Sequence, residues 1–361
     1  MKVIVNQQDF LKALSFAGRA LKGKSSIPAF GMFAISVKNN VAHIRVVNDE
    51  LGIYTQCPII DGDEVKIAVM GTDLLRVIKP LYGEITLDID QSNQRVTIKS
   101  KTGKYKLPLE NYDDMPDQDI KGADPLFSTT AEELNSALSV CEKVVSPDEL
   151  RPVMGTVNIN VENGKRHVVG TDSHQLNLVQ NFNADVSEET NVLVTLSAAQ
   201  ALKGLQDQID VKRKNNFIIY DNGKQKVVQT QIVGNYPKYE NVIPQDNKIT
   251  VTFEKDDLIG AISRIMTVVN STTHLVALNI SEGQINITGQ DIDFGRSGEE
   301  SIACESNGNI EIGFNAVLLS NILKTRKSET LTFQLSNPSR AGLIYGDDDV
   351  LSLLMPLMMN V

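Results

Sequence analysis

The chain has 361 residues, with 35 lysines and arginines against 45 aspartates and glutamates, and a formal net charge of −10. Only 5% of its residues are aromatic and none is tryptophan, which is unlike an ordinary basic nucleic-acid-binding protein. No stretch approaches the roughly 18 apolar residues of a membrane helix, and no N-terminal segment combines basic residues with an apolar run. The sequence therefore predicts a soluble, cytoplasmic protein.

The first predicted helix occurs three times, at a spacing of 124 residues. Each copy places four apolar side chains at i, i+3, i+4 and i+7, the pattern of a helix with one buried face. A short apolar strand precedes each copy. The copies are Phe10, Ala13, Leu14 and Ala17; Leu134, Ala137, Leu138 and Cys141; and Leu258, Ala261, Ile262 and Ile265. Three similar domains are predicted.

Further elements recur in the same order. Alternating apolar residues predict hairpins at residues 32–47, 157–169 and 276–288, each followed by an aspartate, Asp49, Asp172 or Asp291. Strands at residues 65–69, 192–195 and 310–314 precede a second helix with apolar pairs at Leu75 and Ile78, Leu202 and Leu205, and Leu319 and Ile322. More strands follow, with a hairpin turn indicated at Asn222–Gly223.

The segments between the repeats also correspond. Asn111–Tyr112 and Asn235–Tyr236 are 124 residues apart, and both lead into stretches rich in Asp and Pro. These stretches predict linkers, with boundaries near residues 122 and 246. We therefore predict an α+β fold of three similar domains, 1–122, 123–246 and 247–361, each with two helices packed on antiparallel sheets and long enough to bury a core.

The cysteines and the possible catalytic motifs point away from metal or covalent chemistry. Cys57, Cys141 and Cys304 fall one to a repeat without a CxxC pattern, so buried free thiols are predicted. Asp172-Ser173-His174 contains the three residue types of a catalytic triad, but neighbours on an extended segment point in different directions. Because phosphate-binding, dinucleotide-binding and zinc-protease motifs are also missing from the sequence, we predict no enzymatic activity, cofactor or metal.

Charge is unevenly distributed along the chain. The six predicted helices with their flanks sum to +4, so the remainder carries −14. One interpretation is a chance partition of solvated side chains. The other is that the helices share a face toward a polyanion, which a mildly basic surface attracts without fixing it in one place.

Four short motifs carry a resemblance to a known family. They are GTDSHQL at 170–176, GNYPKYENVIP at 234–244, IGFN at 312–315 and MPL at 355–357. In this order within a triplicated chain, they resemble the bacterial DNA polymerase III beta subunit, the sliding clamp. The resemblance spans the whole chain. It implies a head-to-tail homodimeric ring of six similar domains, without catalytic activity, whose helices surround duplex DNA and whose sheets face outward.

The resemblance also implies roles for particular residues. Lys12, Lys24, Lys79 and Lys324 match basic residues that face the DNA, where weak and diffuse phosphate contacts permit sliding. A pocket for short peptides of the polymerase, the clamp loader and other partners is expected to have a deeper apolar part formed by Thr171, Leu176, Pro237, Val242, Leu353 and Met355. Its neighbouring residues are expected to be Arg151, His174, Tyr236, Asn315, Leu318, Pro356 and Leu357. Taken alone, Leu176, Val242, Leu353 and Met355 would be interpreted as strand core, but together with the four motifs they are assigned to the pocket.

This chain departs from the family pattern at three places. Gln175 stands where Arg is usual, Leu318 stands where Tyr is common, and the tail runs two residues further, to Val361, without a basic penultimate residue. These departures predict an altered preference among partner peptides. The methionines near the end suit a surface that accepts several peptides, because methionine repacks easily.

The dimer contact is a further expectation from the resemblance. Lys104, Tyr105 and Leu107 are expected to meet Val268, Glu299 and Glu300 of the second subunit, and the opposite charges fit. A different class of function is an acidic repeat scaffold that binds peptides but no DNA. Retention on closed circular DNA that disappears when the circle is cut distinguishes the clamp from the scaffold.

Overall fold

The structure is a computed structural model that describes residues 1–146 and 150–359. Within these ranges the chain forms an α+β fold of six α-helices and many antiparallel strands, as predicted. The helices are α1 Gln7–Ala17, α2 Gly71–Ile78, α3 Ala131–Cys141, α4 Leu196–Leu202, α5 Lys255–Ile265 and α6 Ala316–Thr325.

The strands follow in chain order. The first fourteen are β1 Lys2–Asn6, β2 Met32–Lys38, β3 Val41–Val47, β4 Leu51–Pro58, β5 Asp61–Gly62, β6 Val65–Met70, β7 Glu84–Asp90, β8 Arg95–Lys99, β9 Lys104–Pro108, β10 Asp124–Thr130, β11 Thr156–Asn160, β12 His167–Thr171, β13 Gln175–Val179 and β14 Asp185–Val186. The others are β15 Asn191–Thr195, β16 Gln208–Lys214, β17 Phe217–Asp221, β18 Lys226–Thr230, β19 Ile249–Glu254, β20 Leu275–Ser281, β21 Gln284–Asp291, β22 Arg296–Ala303, β23 Glu305–Ser306, β24 Ile310–Asn315, β25 Thr330–Leu335, β26 Gly342–Tyr345 and β27 Val350–Leu354.

The threefold repeat of the first helix is confirmed. Helices α1, α3 and α5 begin at residues 7, 131 and 255, again 124 apart. All twelve apolar residues of the predicted stripes are buried, so the sequence spacing marks the face that each helix packs on its sheets. The second helix is shorter than predicted in its middle copy. There α4 ends at Leu202, and Leu205 is buried in the segment that follows it.

The first compact unit contains residues 1–132, 184–188 and 197–231. It has a five-stranded sheet in the order β5-β1-β7-β8-β9 and a nine-stranded sheet in the order β14-β10-β16-β17-β18-β4-β3-β2-β6. In the larger sheet, β18 pairs with β4 from Lys226 opposite Tyr54 to Gln229 opposite Leu51. This sheet thus joins strands from the predicted first and second domains.

The second compact unit contains residues 133–183, 189–196 and 232–361. Its sheets have the orders β15-β11-β12-β13-β27-β26-β25-β19-β23 and β22-β21-β20-β24. Here β13 pairs with β27, from Gln175 opposite Leu354 to Val179 opposite Val350. Each nine-stranded sheet therefore includes strands of the predicted central domain, and the boundaries near residues 122 and 246 stay a prediction.

A buried polar network crosses the β13–β27 pairing. The Arg326 side chain is fully buried and donates to the Ile344 and Val350 carbonyl oxygens, at 2.9 and 2.6 Å, while it pairs with Asp348. Arg326 also donates to Ser352, whose hydroxyl donates to Asn177 Oδ1 at 2.7 Å. A buried charge is tolerated only when it is paired and hydrogen-bonded, and these contacts meet that requirement.

The cysteines are free thiols with different exposures. Cys57 and Cys141 are buried, as predicted, and burial raises the pKa of the Cys141 thiol to about 12. Cys304 is only half-buried, so the expectation of a buried thiol is wrong there. It lies between β22 and the short edge strand β23.

The close approach of α3 to β12 gives a test of the packing. A Cβ at Gly170 would lie 2.2 Å from the Cys141 carbonyl oxygen, which is backbone and cannot rotate away. We expect Gly170→Ala to lower the free energy of unfolding by about 1–3 kcal/mol, the usual cost of overpacking. Gly23→Ala is the control, because its Cβ meets nothing within 4 Å. Thermal unfolding of both variants checks this, and an unchanged midpoint for Gly170→Ala would contradict it.

Candidate functional site

A cavity of about 710 Å³ opens in the second unit beside the β13–β27 pairing. Four stretches surround it: residues 150–154, the turn between β12 and β13, the loop at residues 235–242, and the end of β27. Most of its wall is apolar. Its lining consists of Leu150, Arg151, Pro152, Val153, Met154, Thr171, Ser173, Gln175, Leu176, Asn235, Pro237, Lys238, Tyr239, Val242, Leu353 and Met355.

The cavity has a buried floor and an exposed rim. Leu176 and Leu353 lie opposite each other on β13 and β27 and are 2% and 3% exposed. At the rim, Val242 is 58% exposed and Met355 is 40% exposed. An apolar ligand side chain that enters the cavity would therefore cover apolar surface that now contacts water, which is the main source of affinity in such sites.

Tyr239 is held in the wall of the cavity by polar partners behind it. Its hydroxyl lies 2.8 Å from His167 Nδ1 and accepts from Asn160 Nδ2 at 3.4 Å. Burial raises the pKa of Tyr239 above its usual range, so the phenol stays neutral. Burial and the nearby Lys165 lower the pKa of His167. The ring of Tyr239 is thus a fixed and uncharged part of the cavity wall.

The turn between β12 and β13 differs from the extended segment expected at Asp172-Ser173-His174. Ser173 has φ 82°, in the left-handed region, and the Asp172 carboxylate accepts the backbone N–H groups of His174 and Gln175 at 2.8 and 2.9 Å. It also accepts from Gln175 Nε2 at 2.9 Å. This carboxylate therefore organises a tight turn, as Asp side chains commonly do.

Seven of the thirteen residues predicted for the pocket line this cavity. They are Arg151, Thr171, Leu176, Pro237, Val242, Leu353 and Met355. The structure thus brings together four stretches that are far apart in the sequence. Binding of a peptide by these residues stays a prediction.

The other six predicted residues lie near the cavity wall or elsewhere in the unit. The His174 side chain is exposed, and its carbonyl oxygen accepts the Met355 N–H at 2.8 Å. Tyr236 donates its hydroxyl to the Val169 carbonyl oxygen at 3.2 Å. Asn315 caps the N-terminus of α6, and Leu318 packs against the core.

The last two of the six, Pro356 and Leu357, belong to the tail. Both are half-buried, and Leu357 donates its N–H to the Gly313 carbonyl oxygen at 2.8 Å. This bond ties the tail to β24. Asn360 and Val361, which end the extended tail, lie outside the described residues.

Sequence reasoning missed much of one wall. Pro152, Val153 and Met154 form a short 3-10 helix at residues 152–155 that carries no helical periodicity in the sequence. The resemblance pointed only to Arg151 there. Tyr239 lies inside the motif at residues 234–244, so its sequence position could have indicated it.

The four lysines predicted to face DNA are all exposed. Lys12 lies on the outer face of α1, Lys24 follows the short 3-10 helix at residues 18–20, Lys79 caps α2, and Lys324 is in the last turn of α6. None of them forms an ion pair within the described ranges. Their charges are therefore free to act on a ligand in solvent.

The positive charge counted on the helices from the sequence is larger than the positive charge that is exposed and unpaired in the structure. Arg326, which flanks the last predicted helix, contributes to the sum of +4, but its side chain is buried against Asp348. Lys22 is paired with Asp49 and Glu50 at 2.6 and 3.1 Å. The available surplus on the helices is thus smaller than the sequence sum.

Five of the six residues predicted for the dimer contact lie on edge strands. Lys104, Tyr105 and Leu107 are on β9, at the end of the five-stranded sheet. Glu299 and Glu300 are on β22, at the end of the four-stranded sheet.

The two glutamates of β22 already form hydrogen bonds with side chains of the same chain. Glu300 accepts two bonds of 2.6 Å from Arg264, and Glu299 accepts from Asn286 Nδ2 at 2.7 Å. Val268 is half-buried and lies beside β22, since a Cβ at Gly298 would be 2.9 Å from its side chain. A contact with a second chain stays a prediction for these residues.

The described helices are all too short, or too polar, to span a lipid bilayer.

Comparisons with known proteins agree with one another. The model of the DNA polymerase III beta subunit, N-terminal domain, matches residues 1–119, and that of its C-terminal domain matches residues 240–358. The chain is 25% identical to a beta sliding clamp from Synechocystis over 93% of both chains. It is 21% identical to a beta sliding clamp from Pseudomonas aeruginosa, over 99% of this chain and 100% of that protein.

Solved structures have the same fold. A crystal structure of a sliding clamp (DNA polymerase III subunit beta) from Pseudomonas aeruginosa, bound to griselimycin, has a TM-score of 0.93 at 20% identity and covers 99% of this chain and 100% of that chain. A DNA polymerase III beta subunit from Thermotoga maritima has a TM-score of 0.92 at 18% identity with the same coverage. With both terminal domains matched by family models and the fold shared throughout, the chain belongs to the DNA polymerase III beta subunit family.

Proposed function

We propose that this chain is a DNA sliding clamp, a non-catalytic processivity factor that encircles duplex DNA and tethers the replicative polymerase through a peptide-binding pocket. The apolar cavity at the β13–β27 pairing carries the proposal, because its buried floor and exposed rim suit a few large side chains of a short extended peptide. In a bacterial cell such a protein acts in the cytoplasm, where the DNA lies. Its three domains are residues 1–122, 123–246 and 247–361.

The proposed partners are proteins that carry a short clamp-binding peptide, among them the polymerase and the clamp loader. The Pseudomonas clamp bound to griselimycin supports a ligand site in this family. The cavity is lined by Arg151 and Lys238 as well as by apolar residues, so it also suits a peptide with an acidic or carboxylate group. Peptide affinity then comes mainly from the apolar anchors, and the basic side chains favour the correct orientation.

Double-stranded DNA is the proposed polyanion, bound without regard to sequence. Lys12, Lys24, Lys79 and Lys324 supply exposed positive charge on or just after helices of a protein with net charge −10. Phosphate contacts from such lysines carry no sequence information, which a sliding protein requires. Enclosure, rather than affinity, then keeps the protein on DNA.

A homodimeric ring is proposed from the repeat itself. Between consecutive repeats, β18 pairs with β4 and β27 pairs with β13, so each junction closes with a strand-to-strand ladder. The corresponding strands that remain at the ends of their sheets are β9 and β22. Pairing of β9 of one chain with β22 of a second chain repeats the same junction head to tail, and two such contacts close a ring.

The pocket is tested by truncating its rim. We expect Val242→Ala with Met355→Ala to weaken binding of a fluorescent peptide with Gln and Leu/Phe anchors by an order of magnitude or more, since each buried apolar side chain contributes roughly 1.5–3 kcal/mol. Both residues are largely exposed in the free protein, so the fold is preserved. Met358→Ala is the control, because Met358 is 78% exposed and lies outside the cavity lining. Equal affinity of the double variant and the parent would show that the peptide binds elsewhere.

The DNA-facing surface is tested by reversing its charge. Replacing Lys12, Lys24, Lys79 and Lys324 by Glu should reduce retention on DNA and flatten its salt dependence, by about 0.9 in the log–log slope for each phosphate that the protein no longer neutralises. Peptide binding should not change. The matched control replaces four other exposed lysines, Lys38, Lys121, Lys224 and Lys248, and so gives the same net charge of −18.

The comparison between the two charge-reversed variants is decisive. The first set should lose retention in a salt titration, while the control set should lose much less. Equal behaviour of the two variants would mean that only net charge matters and that the four lysines have no special role.

The dimer contact is tested by placing a charge in it. Leu107 is half-buried on the edge strand β9, and burial of an unpaired aspartate in an apolar contact costs several kcal/mol. We expect Leu107→Asp to sediment as a monomer at micromolar concentration, where the parent is a dimer, with each chain still folded by circular dichroism. Tyr82→Asp, at an exposed site in the segment between α2 and β7, should remain a dimer. A dimer of Leu107→Asp would place the contact elsewhere.

A further inference from the structure

The turn between β21 and β22 exposes two large apolar side chains. Ile292 and Phe294 are 81% and 73% exposed, and we call residues 292–295 the apolar turn. Arg296 lies over the Phe294 ring, 4.8 Å from its centroid, and its Nη2 is 3.5 Å from Asp291 Oδ2. The turn is therefore ordered by its own contacts while its apolar side chains face solvent.

The corresponding turns of the other two repeats each receive the end of a neighbouring strand. In the turn between β3 and β4, the Glu50 carbonyl oxygen accepts the Thr230 N–H at 2.9 Å, at the end of β18. In the turn between β12 and β13, the His174 carbonyl oxygen accepts the Met355 N–H at 2.8 Å, just after β27. In both repeats, therefore, the equivalent residue of the hairpin turn accepts a hydrogen bond from the strand of the next repeat.

The hairpin pairings identify the third position of this kind. Val47 lies opposite Gly52, Thr171 opposite Leu176 and Asp291 opposite Arg296, each closing a four-residue turn. The residue third in each turn is Glu50, His174 or Phe294. Phe294 therefore occupies the place that accepts the hydrogen bond in the other two repeats.

The same comparison of hairpins identifies the strand end that would reach Phe294. The β8–β9 and β17–β18 hairpins have matching four-residue turns, 100–103 and 222–225. In each, the first turn residue donates its N–H to the carbonyl oxygen of the fourth, at 2.9 and 3.1 Å. Counted from these turns, Thr230 at the end of β18 corresponds to Pro108 at the end of β9. Proline has no N–H, so the hydrogen bond of the other two junctions cannot form there.

We propose that the apolar turn packs against Pro108 at the end of β9 in a second copy of this chain. The inference rests on the proposed pairing of β9 with β22. Phe294 and Ile292 cover the proline ring, and this apolar contact stands where the other junctions have a backbone hydrogen bond. A buried aromatic side chain removes roughly 150–250 Å² from water, so the contact strengthens each junction of the ring.

The dimer dissociation constant measures this contact. Phe294→Ser should raise it at least tenfold, and more if both junctions of the ring contribute fully, because dissociation breaks two identical contacts. Tyr82→Ser is the control, since Tyr82 is also an exposed aromatic residue, at 67%, in a different part of the chain. An unchanged dissociation constant for Phe294→Ser would overturn the proposal.

Cross-linking locates the contact independently of affinity. A chain with Phe294→Cys and Pro108→Cys should form intermolecular disulfides under mild oxidation far faster than either single variant. A chain with Phe294→Cys and Tyr82→Cys should not. Equal rates for the two double variants, or rapid cross-linking of Phe294→Cys alone, would show that the apolar turn does not meet Pro108.

These outcomes separate the inference from the proposed ring. If the apolar-turn variants behave like the parent while Leu107→Asp becomes monomeric, the ring stands and the apolar turn lies outside its contact. If the parent itself is monomeric at every concentration tested, the proposed homodimeric ring is contradicted, whatever the apolar-turn variants do.

Discussion

The backbone hydrogen-bonding groups of the edge strands constrain this protein more than any single side chain. A sheet edge leaves a row of N–H and C=O groups without partners, and proteins must pair, cover or blunt it. The second and third repeats each pair their last strand with the preceding repeat, which gives the β18–β4 and β27–β13 ladders. Two nine-stranded sheets result, and β9 and β22 keep free edges.

The candidate binding site follows from one of these ladders. Where β13 meets β27, Leu176 and Leu353 lie opposite each other and form a buried floor. The ladder also brings the β12–β13 turn beside the end of β27, so that the wall is assembled from distant parts of the chain. Arg326 anchors the same ladder through the carbonyl oxygens of β26 and β27, and Ser352 extends this anchor to Asn177 on β13.

The helices and the repeat could be predicted from the sequence because their signal is local and periodic. The stripe from Phe10 to Ala17 needs only the 3.6-residue period, and it recurs at the same spacing twice. The residues of the cavity floor carry no such signal, since Leu176 and Leu353 read as ordinary strand core. A known family pattern, rather than periodicity, placed them together.

Other features depend on tertiary contacts that a sequence does not display. A charge count treats Arg326 and Lys24 alike, but one is buried in an ion pair and the other is exposed. The short helix at residues 152–155 lines the cavity without any periodic pattern. The exposure of Phe294 follows from its place at a hairpin tip, and an apolar residue in a sequence gives no indication of that.

Retention on circular DNA tests the central claim most directly, since a ring held by enclosure must distinguish closed from open DNA. The protein is assembled on a closed circular duplex and separated from free protein at a salt concentration that screens phosphate contacts. The account predicts that the protein stays with the closed circle and is released when a restriction enzyme makes one cut. Equal retention on closed and linear DNA, or retention on neither, would contradict it.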